Sequence, residues 1–131
     1  MTKNNFFRIR PRDPMKPKWV GETGVDHGYS EFADPVYCIK AWLELMTEYR
    51  KDGYDCVHCI VLAYCKGRED VDPIDYNGYL CSELGVFPDE RLTNKWKYVR
   101  LALAMAYFET RYELEPRQVT EVMEFFNLFV V

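Results

Sequence analysis

Asp34-Pro35-Val36-Tyr37-Cys38-Ile39-Lys40-Ala41-Trp42-Leu43-Glu44-Leu45-Met46 is where the chain changes character. Asp is a good N-cap, and Pro fits the first helical position because its missing N–H is one the helix leaves unbonded anyway. Behind that start, Val36, Ile39, Leu43 and Met46 recur at helical spacing and predict one buried face. Gly53 is the natural stop. Working outward toward the C-terminus, a second helix is predicted from about Asp55 through Val57, Ile60, Val61 and Tyr64 to Gly67. Asp72-Pro73 repeats the start signal for a third helix, which carries Ile74, Tyr76, Tyr79, Leu80 and Leu84 and closes at Gly85. Pro88-Asp89 and Thr93 open a fourth, running over 96–110, where Ala102, Ala104 and Ala106 allow close helix contact. Glu115-Pro116 starts a fifth, with Val119, Val122, Met123, Phe126 and Phe129 on its apolar side.

Working outward in the other direction, residues 1–33 show no helical period, and Pro11, Pro14 and Pro17 exclude a central strand. Trp19-Val20-Gly21 and Tyr29-Ser30-Glu31-Phe32 read as two short strands around a Gly24–Gly28 turn. The expectation is therefore an α+β fold, predominantly α. It is one domain over 1–131: loop and hairpin over 1–33, a helical core over 34–112 and an extra C-terminal helix over 115–131.

Composition agrees. The chain has 131 residues, 48% of them hydrophobic and 29% charged, which suits a packed core rather than a disordered chain. A net charge of −4 argues against nucleic acid as the main partner. The local exception is the cluster Lys3, Arg8, Arg10, Arg12, Lys16 and Lys18, which reads as a loosely ordered, solvated arm open to an anionic polymer. No apolar run is long enough to span a bilayer, and no secretory signal is visible at the start, so synthesis in the cytoplasm is expected, with no membrane insertion.

Cys56-Val57-His58-Cys59, with Cys65 further on, resembles a zinc half-site, but no second ligand pair follows at matching spacing. The segment reads instead as a buried helix carrying reduced thiols, so no metal and no cofactor are expected. His58 and Cys59 are neighbours on a helix and point apart, which disfavours a nucleophile–base pair. No Gly-rich phosphate loop, H-E-x-x-H or G-x-S-x-G occurs, and Ser30 and Ser82 are the two serines.

In order along the chain, several short segments carry a resemblance. They are Asn4-Asn5 with Arg8-Ile9-Arg10, Trp19-Val20-Gly21, Phe32-Ala33-Asp34-Pro35 and Cys38-Ile39-Lys40-Ala41. After these come Ile60-Val61-Leu62-Ala63-Tyr64, Asp72-Pro73-Ile74-Asp75-Tyr76 with Leu84-Gly85-Val86, and Ala104-Met105-Ala106. This series resembles the lysozyme-like domain of phage virion proteins and their prophage relatives in gut bacteria. The motifs of that family run N-N-P-x-N-I-R, W-x-G, G-[IL]-R-A, I-I-x-x-W-A-P, D-T-x-x-Y and A-M-A. Phe6-Phe7 replace the family's proline and its neighbour, and Tyr64 replaces the tryptophan. The likeness reaches to about residue 112 and leaves out the last helix.

The resemblance implies a lysozyme-like domain whose partner is the glycan strand of peptidoglycan, in a protein that is virion-associated or released. Cleaving that strand needs a carboxylic acid in a partly apolar site and a second carboxylate or a constrained water. Lysozyme-type enzymes carry the acid at the end of a helix leading into the hairpin, whereas here no helix precedes the hairpin and no acidic residue precedes Asp13. Glu22, beside Trp19, is then the candidate catalytic acid, with His27 as a proton shuttle. Glu44 and Glu48 fall one turn apart on a solvated face. Asn5, Arg10, Trp19, Asp26, Tyr29 and Tyr64 are the candidates for lining a glycan groove. The reading is a peptidoglycan-binding domain with little or no catalysis. Its alternatives are an active muramidase or lytic transglycosylase, and a structural module that pairs with a partner or a second copy through the C-terminal helix. In that last case Phe125, Phe126, Phe129 and Val130-Val131 supply apolar surface.

Overall fold

A computed structural model describes residues 2–131. Its elements, among the described residues, are β1 (Glu22–Asp26), β2 (Tyr29–Phe32), α1 (Pro35–Lys51), α2 (Val57–Cys65), α3 (Pro73–Leu84), α4 (Lys95–Thr110) and α5 (Pro116–Phe126). The fold is predominantly helical with one small antiparallel hairpin near the N-terminus.

The start signals act through local hydrogen bonds. Asp34 and Asp72 each accept the N–H two residues on, from Val36 and Ile74, at 2.9 Å. Glu115 and Gln118 form a reciprocal capping box at the head of α5. The fourth helix differs from expectation: its N-cap is Asn94, which accepts from the Lys97 N–H at 3.0 Å, not Thr93. The second also starts late, at an N-cap of Cys56 whose side chain makes no capping bond. The fifth ends early. Asn127 turns left-handed (φ 52°), so Phe129 lies beyond the helix it was expected to extend.

The hairpin is shifted as well. Trp19-Val20-Gly21 is not a strand; pairing begins at Glu22↔Phe32 and closes at Asp26↔Tyr29 around the two-residue turn His27-Gly28. Both turn residues have positive φ, 53° and 86°, the combination whose twist matches a tight hairpin. Gly21 is required for a different reason: a Cβ there would sit 2.2 Å from the Tyr37 ring.

The arm corrects a larger expectation. Residues 2–10 are not a solvated terminus, because Phe6, Phe7 and Ile9 are buried in the main core. Phe7 stacks on Trp42 of α1 (5.3 Å between centroids), and Phe6 stacks on Tyr112 beyond α4 (4.2 Å). The arm's backbone is tied down in step: Thr110 Oγ1 donates to Phe6 O at 2.8 Å, Tyr64 Oη to Phe7 O at 2.6 Å, and the Ser30 N–H to Ile9 O at 2.9 Å. At the centre lies α4, buried nearly all round through Tyr98, Val99, Leu101, Ala102, Ala104, Met105, Ala106 and Glu109. Helix α3 packs against α2 and α4, and α5 covers α1 and α4 with Val119, Val122 and Met123. Among the described residues, no helix is long and apolar enough to cross a membrane.

Candidate functional site

Where the arm passes between the hairpin and the helices, it leaves a run of adjoining clefts. The first, about 340 Å³, is lined by Arg8, Arg10, Arg12 and Lys16 from the arm, with Trp19, Tyr49 and Tyr64 as its walls. A second, about 420 Å³, shares Arg10 and adds Tyr29, Arg68 and Asp70. A third, about 440 Å³, shares Arg8, Tyr29 and Asp70. The arm that composition marks as basic is thus a wall shared by these clefts, held there by its own buried phenylalanines.

The acidic groups of the first cleft, and Asp70 at the other two, are already engaged. Glu48 pairs with Arg12 and lies 4.0 Å from Lys16, while Glu44 pairs with Lys40 and lies 3.7 Å from Arg12. The pair Glu44 and Glu48 is therefore part of a charge network and not a free solvated face. Asp13 accepts the Met15 N–H at 2.9 Å, an Asx turn. Behind the second and third clefts stands a network that joins helix to loop. Arg68 forks onto Glu109 at 2.7 and 2.8 Å and reaches Asp70 at 3.0 Å, with the Arg68 and Glu109 side chains only 2% and 1% exposed. Arg8 approaches the same pair of carboxylates, Asp70 at 3.6 Å and Glu109 at 3.9 Å.

These contacts set the titration of the cleft wall. The Arg68 hydrogen bond, working against burial and helped by Tyr29, holds the Asp70 carboxyl down at about 2. Burial, then the Asp70 hydrogen bond, pushes the Tyr29 hydroxyl up. Burial opposes the Arg68 charge, but its bonds to Glu109 and Asp70 more than offset this and raise it above the usual guanidinium range. Asp70 is therefore a carboxylate, and Tyr29 a neutral donor to it (2.5 Å), near neutral pH.

The residues proposed from sequence divide sharply. Arg10, Trp19 and Tyr64 meet in the first cleft, and Tyr29 joins Arg10 in the second. Arg10 is anchored through Tyr64 O at 2.8 Å and Lys66 O at 2.5 Å. Trp19 is only 5% exposed; its indole N–H donates to Arg10 O, and the Arg12 guanidinium lies over its ring at 4.3 Å. That face is covered, so Trp19 is a support for the arm and not an open platform for a sugar ring. Tyr64 is a buried wall whose hydroxyl is pushed well up by burial.

Asn5 is among the residues that line the third cleft, yet its polar atoms are spent inside the protein. It is wholly buried, its amide donates to Ile9 O (2.8 Å) and Ser30 O (2.7 Å), and its carbonyl accepts the Ile9 N–H (2.9 Å). All of that bonding is internal, clamping the arm to the hairpin. Glu22 does not line the first cleft with Trp19; it stands at the foot of β1, where it accepts from the buried Ser30 hydroxyl at 2.6 Å. Asp26, at the hairpin tip, is 2.7 Å from His27 Nδ1. Glu22 does not line any of the three clefts, and Asp26 meets the candidates only as the cross-strand partner of Tyr29.

Sequence reasoning treated Arg8, Arg12 and Lys16 as solvated charge and missed Arg68, Asp70 and Glu109 altogether. A usable signal existed for the last: Glu109 interrupts the buried side of α4, where a lone charge needs a partner. Among the described residues, no group of three or more His, Cys, Asp and Glu side chains is arranged to hold a metal ion. No family model matches the chain, and no curated protein matches it significantly.

Proposed function

We propose that the chain is a lysozyme-like domain of the phage type that binds the glycan strand of peptidoglycan along the arm-walled clefts and does not cleave it. One observation carries this reading: the first cleft presents guanidinium and ammonium groups, while the two carboxylates that line it, Asp13 and Glu48, are hydrogen-bonded or paired within the protein. Guanidinium groups match carboxylates in a planar, two-point fashion, and the peptides and lactyl ethers along peptidoglycan supply carboxylates beside neutral sugars. A general acid, by contrast, must offer a proton from a carboxyl facing the scissile oxygen. Glu22, hydrogen-bonded to Ser30 and away from the first cleft, does not fill that role.

The test is co-sedimentation with purified cell-wall sacculi, run beside a turbidity assay of the same walls. Binding without clearing is expected, weakening as salt rises. Lys16, 55% exposed at the cleft rim, is the cleanest place to reverse a charge. Lys16→Glu should weaken binding by on the order of tenfold with the fold intact. Absence of co-sedimentation would overturn the binding reading. Clearing that disappears in Glu22→Gln would replace it with the muramidase or transglycosylase alternative.

A further inference from the structure

Cys56-Val57-His58-Cys59 has no part in the clefts. Cys56 is the N-cap of α2, with extended backbone (φ −129°, ψ 160°), and Cys59 occupies the third helical position. An N-cap side chain is directed at the third helical residue, since in a capping box it reaches that residue's N–H. Cys56 makes no such bond, so its thiol has no capping role. Positions three apart on a helix have Cβ atoms about 5–6 Å apart, and a disulfide draws them to about 4 Å. The Cys56 and Cys59 side chains interact with each other, and that interaction is the largest influence on the Cys59 thiol. The remaining cysteines differ. Cys38 and Cys65 are buried, and burial lifts their thiols to about 12 and about 11. Cys81 on α3 is half-buried.

We propose that Cys56 and Cys59 form a dithiol site that exchanges with small disulfides, closing a reversible Cys56–Cys59 bond across the first turn of α2. Cys59 is half-exposed and Cys56 is buried, so Cys59 meets the incoming disulfide first. Its sulfur, after losing a proton to solvent, attacks one sulfur of RSSR. The S–S bond breaks, one RS⁻ leaves and takes up a proton, and Cys59 carries a mixed disulfide. Cys56 then loses its proton and attacks the Cys59 sulfur; the intramolecular bond forms and the second RS⁻ leaves as RSH. Two protein thiols are oxidised, one small disulfide is reduced to two thiols, and excess RSH reverses both steps. The positive end of the α2 dipole favours the negative charge that each exchange step places there. Interaction with the Cys56 side chain, then burial, pushes the Cys59 thiol above its ordinary range. Exchange is therefore slow at neutral pH and quickens as pH rises.

The folded chain is equilibrated with glutathione at varied ratios of oxidised to reduced form, quenched by acid and mapped by peptide mass spectrometry. A single Cys56–Cys59 link, two hydrogens lighter and reversed by reduced glutathione, is expected, with its rate rising about tenfold per pH unit below the Cys59 pKa. Cys56→Ser keeps α2 folded, because serine is a favoured N-cap, and should trap glutathione on Cys59 as an unresolved adduct. Cys81→Ser should leave the link and its rate unchanged. A dominant Cys56–Cys81 link would overturn the proposal. So would an unresolved glutathione adduct on the wild-type chain, or a pair that stays reduced in oxidised glutathione while the urea-unfolded chain oxidises.

Discussion

The two ends of the chain are held by different forces. The N-terminal arm carries three buried apolar residues, Phe6, Phe7 and Ile9, and its backbone is bonded to the hairpin, α2 and the end of α4. Helix α5 is held by one apolar stripe against α1 and α4, and it leaves Phe125 82% exposed beside a groove of about 590 Å³ formed with Val36, Tyr37 and Ile39. The irregular end is thus the more deeply integrated one, and the regular end is an overlay. Regular secondary structure satisfies its own backbone, whereas an irregular segment stays fixed only if side chains from elsewhere satisfy it.

The hardest way to break this contrast is at Phe7. Phe7→Ala removes a ring that is 0% exposed and stacked on Trp42, and should destabilise by about 4 kcal/mol in urea unfolding. A loss below about 1 kcal/mol would mean that the arm frays freely, as its composition suggests. Next is the polar clamp. Asn5→Ala takes a buried partner from the Ile9 N–H and the Ser30 carbonyl and leaves the Ile9 carbonyl with the Ser30 N–H alone, and should cost about 3 kcal/mol. Asn5→Asp distinguishes clamp from ligand: it keeps the acceptor but loses the two donated bonds, so stability falls while any effect on wall binding follows only from unfolding.

Much of the fold is legible in the sequence because its causes are local. Asp34-Pro35, Asp72-Pro73 and Glu115-Pro116 cap helices through bonds two or three residues long, and an apolar repeat needs only its own helix to be read. The site is less legible because its causes are distant. Arg68 and Glu109 meet across 41 residues, and nothing near either one announces the other. Asn5, which lines the third cleft, shows a second kind of hidden cause. A polar residue in a motif reads as a ligand, yet an irregular arm needs buried amides to hold its backbone, and that demand claimed it. Trp19 lines the first cleft, but no local pattern reveals that Arg12 covers its ring.

The network behind the clefts gives a pH signature of smaller size. The Asp70 carboxyl sits at about 2 in the folded chain, below its ordinary value of 3.8, chiefly through Arg68. Such a group contributes stability that is fully present above the unfolded value and is lost as pH falls through the folded one. The wild-type chain should therefore lose stability between about pH 4 and pH 2, a slope that Asp70→Asn flattens. Asp70 is 40% exposed, so solvent screening keeps this contribution modest. An unchanged acid slope in Asp70→Asn would place the acid sensitivity in other carboxylates and uncouple Arg68 from the loop.

The smallest expected effect is at the other end of the molecule. Phe125→Ser changes an 82%-exposed ring whose nearest aromatic partner is Phe126 at 4.9 Å, next to it in sequence. Helical propensities of Phe and Ser are close, and little apolar area is returned to water, so urea unfolding should shift by less than about 0.5 kcal/mol. Against the value for Phe7→Ala, that near-zero result states the contrast as a number: the same residue type counts in the irregular arm and hardly at all at this position of the helix. A loss above about 1.5 kcal/mol would show that Phe125 closes over the Val36–Val122 groove in solution. Helix α5 would then be a second integrated end, and the asymmetry between the two ends would fall.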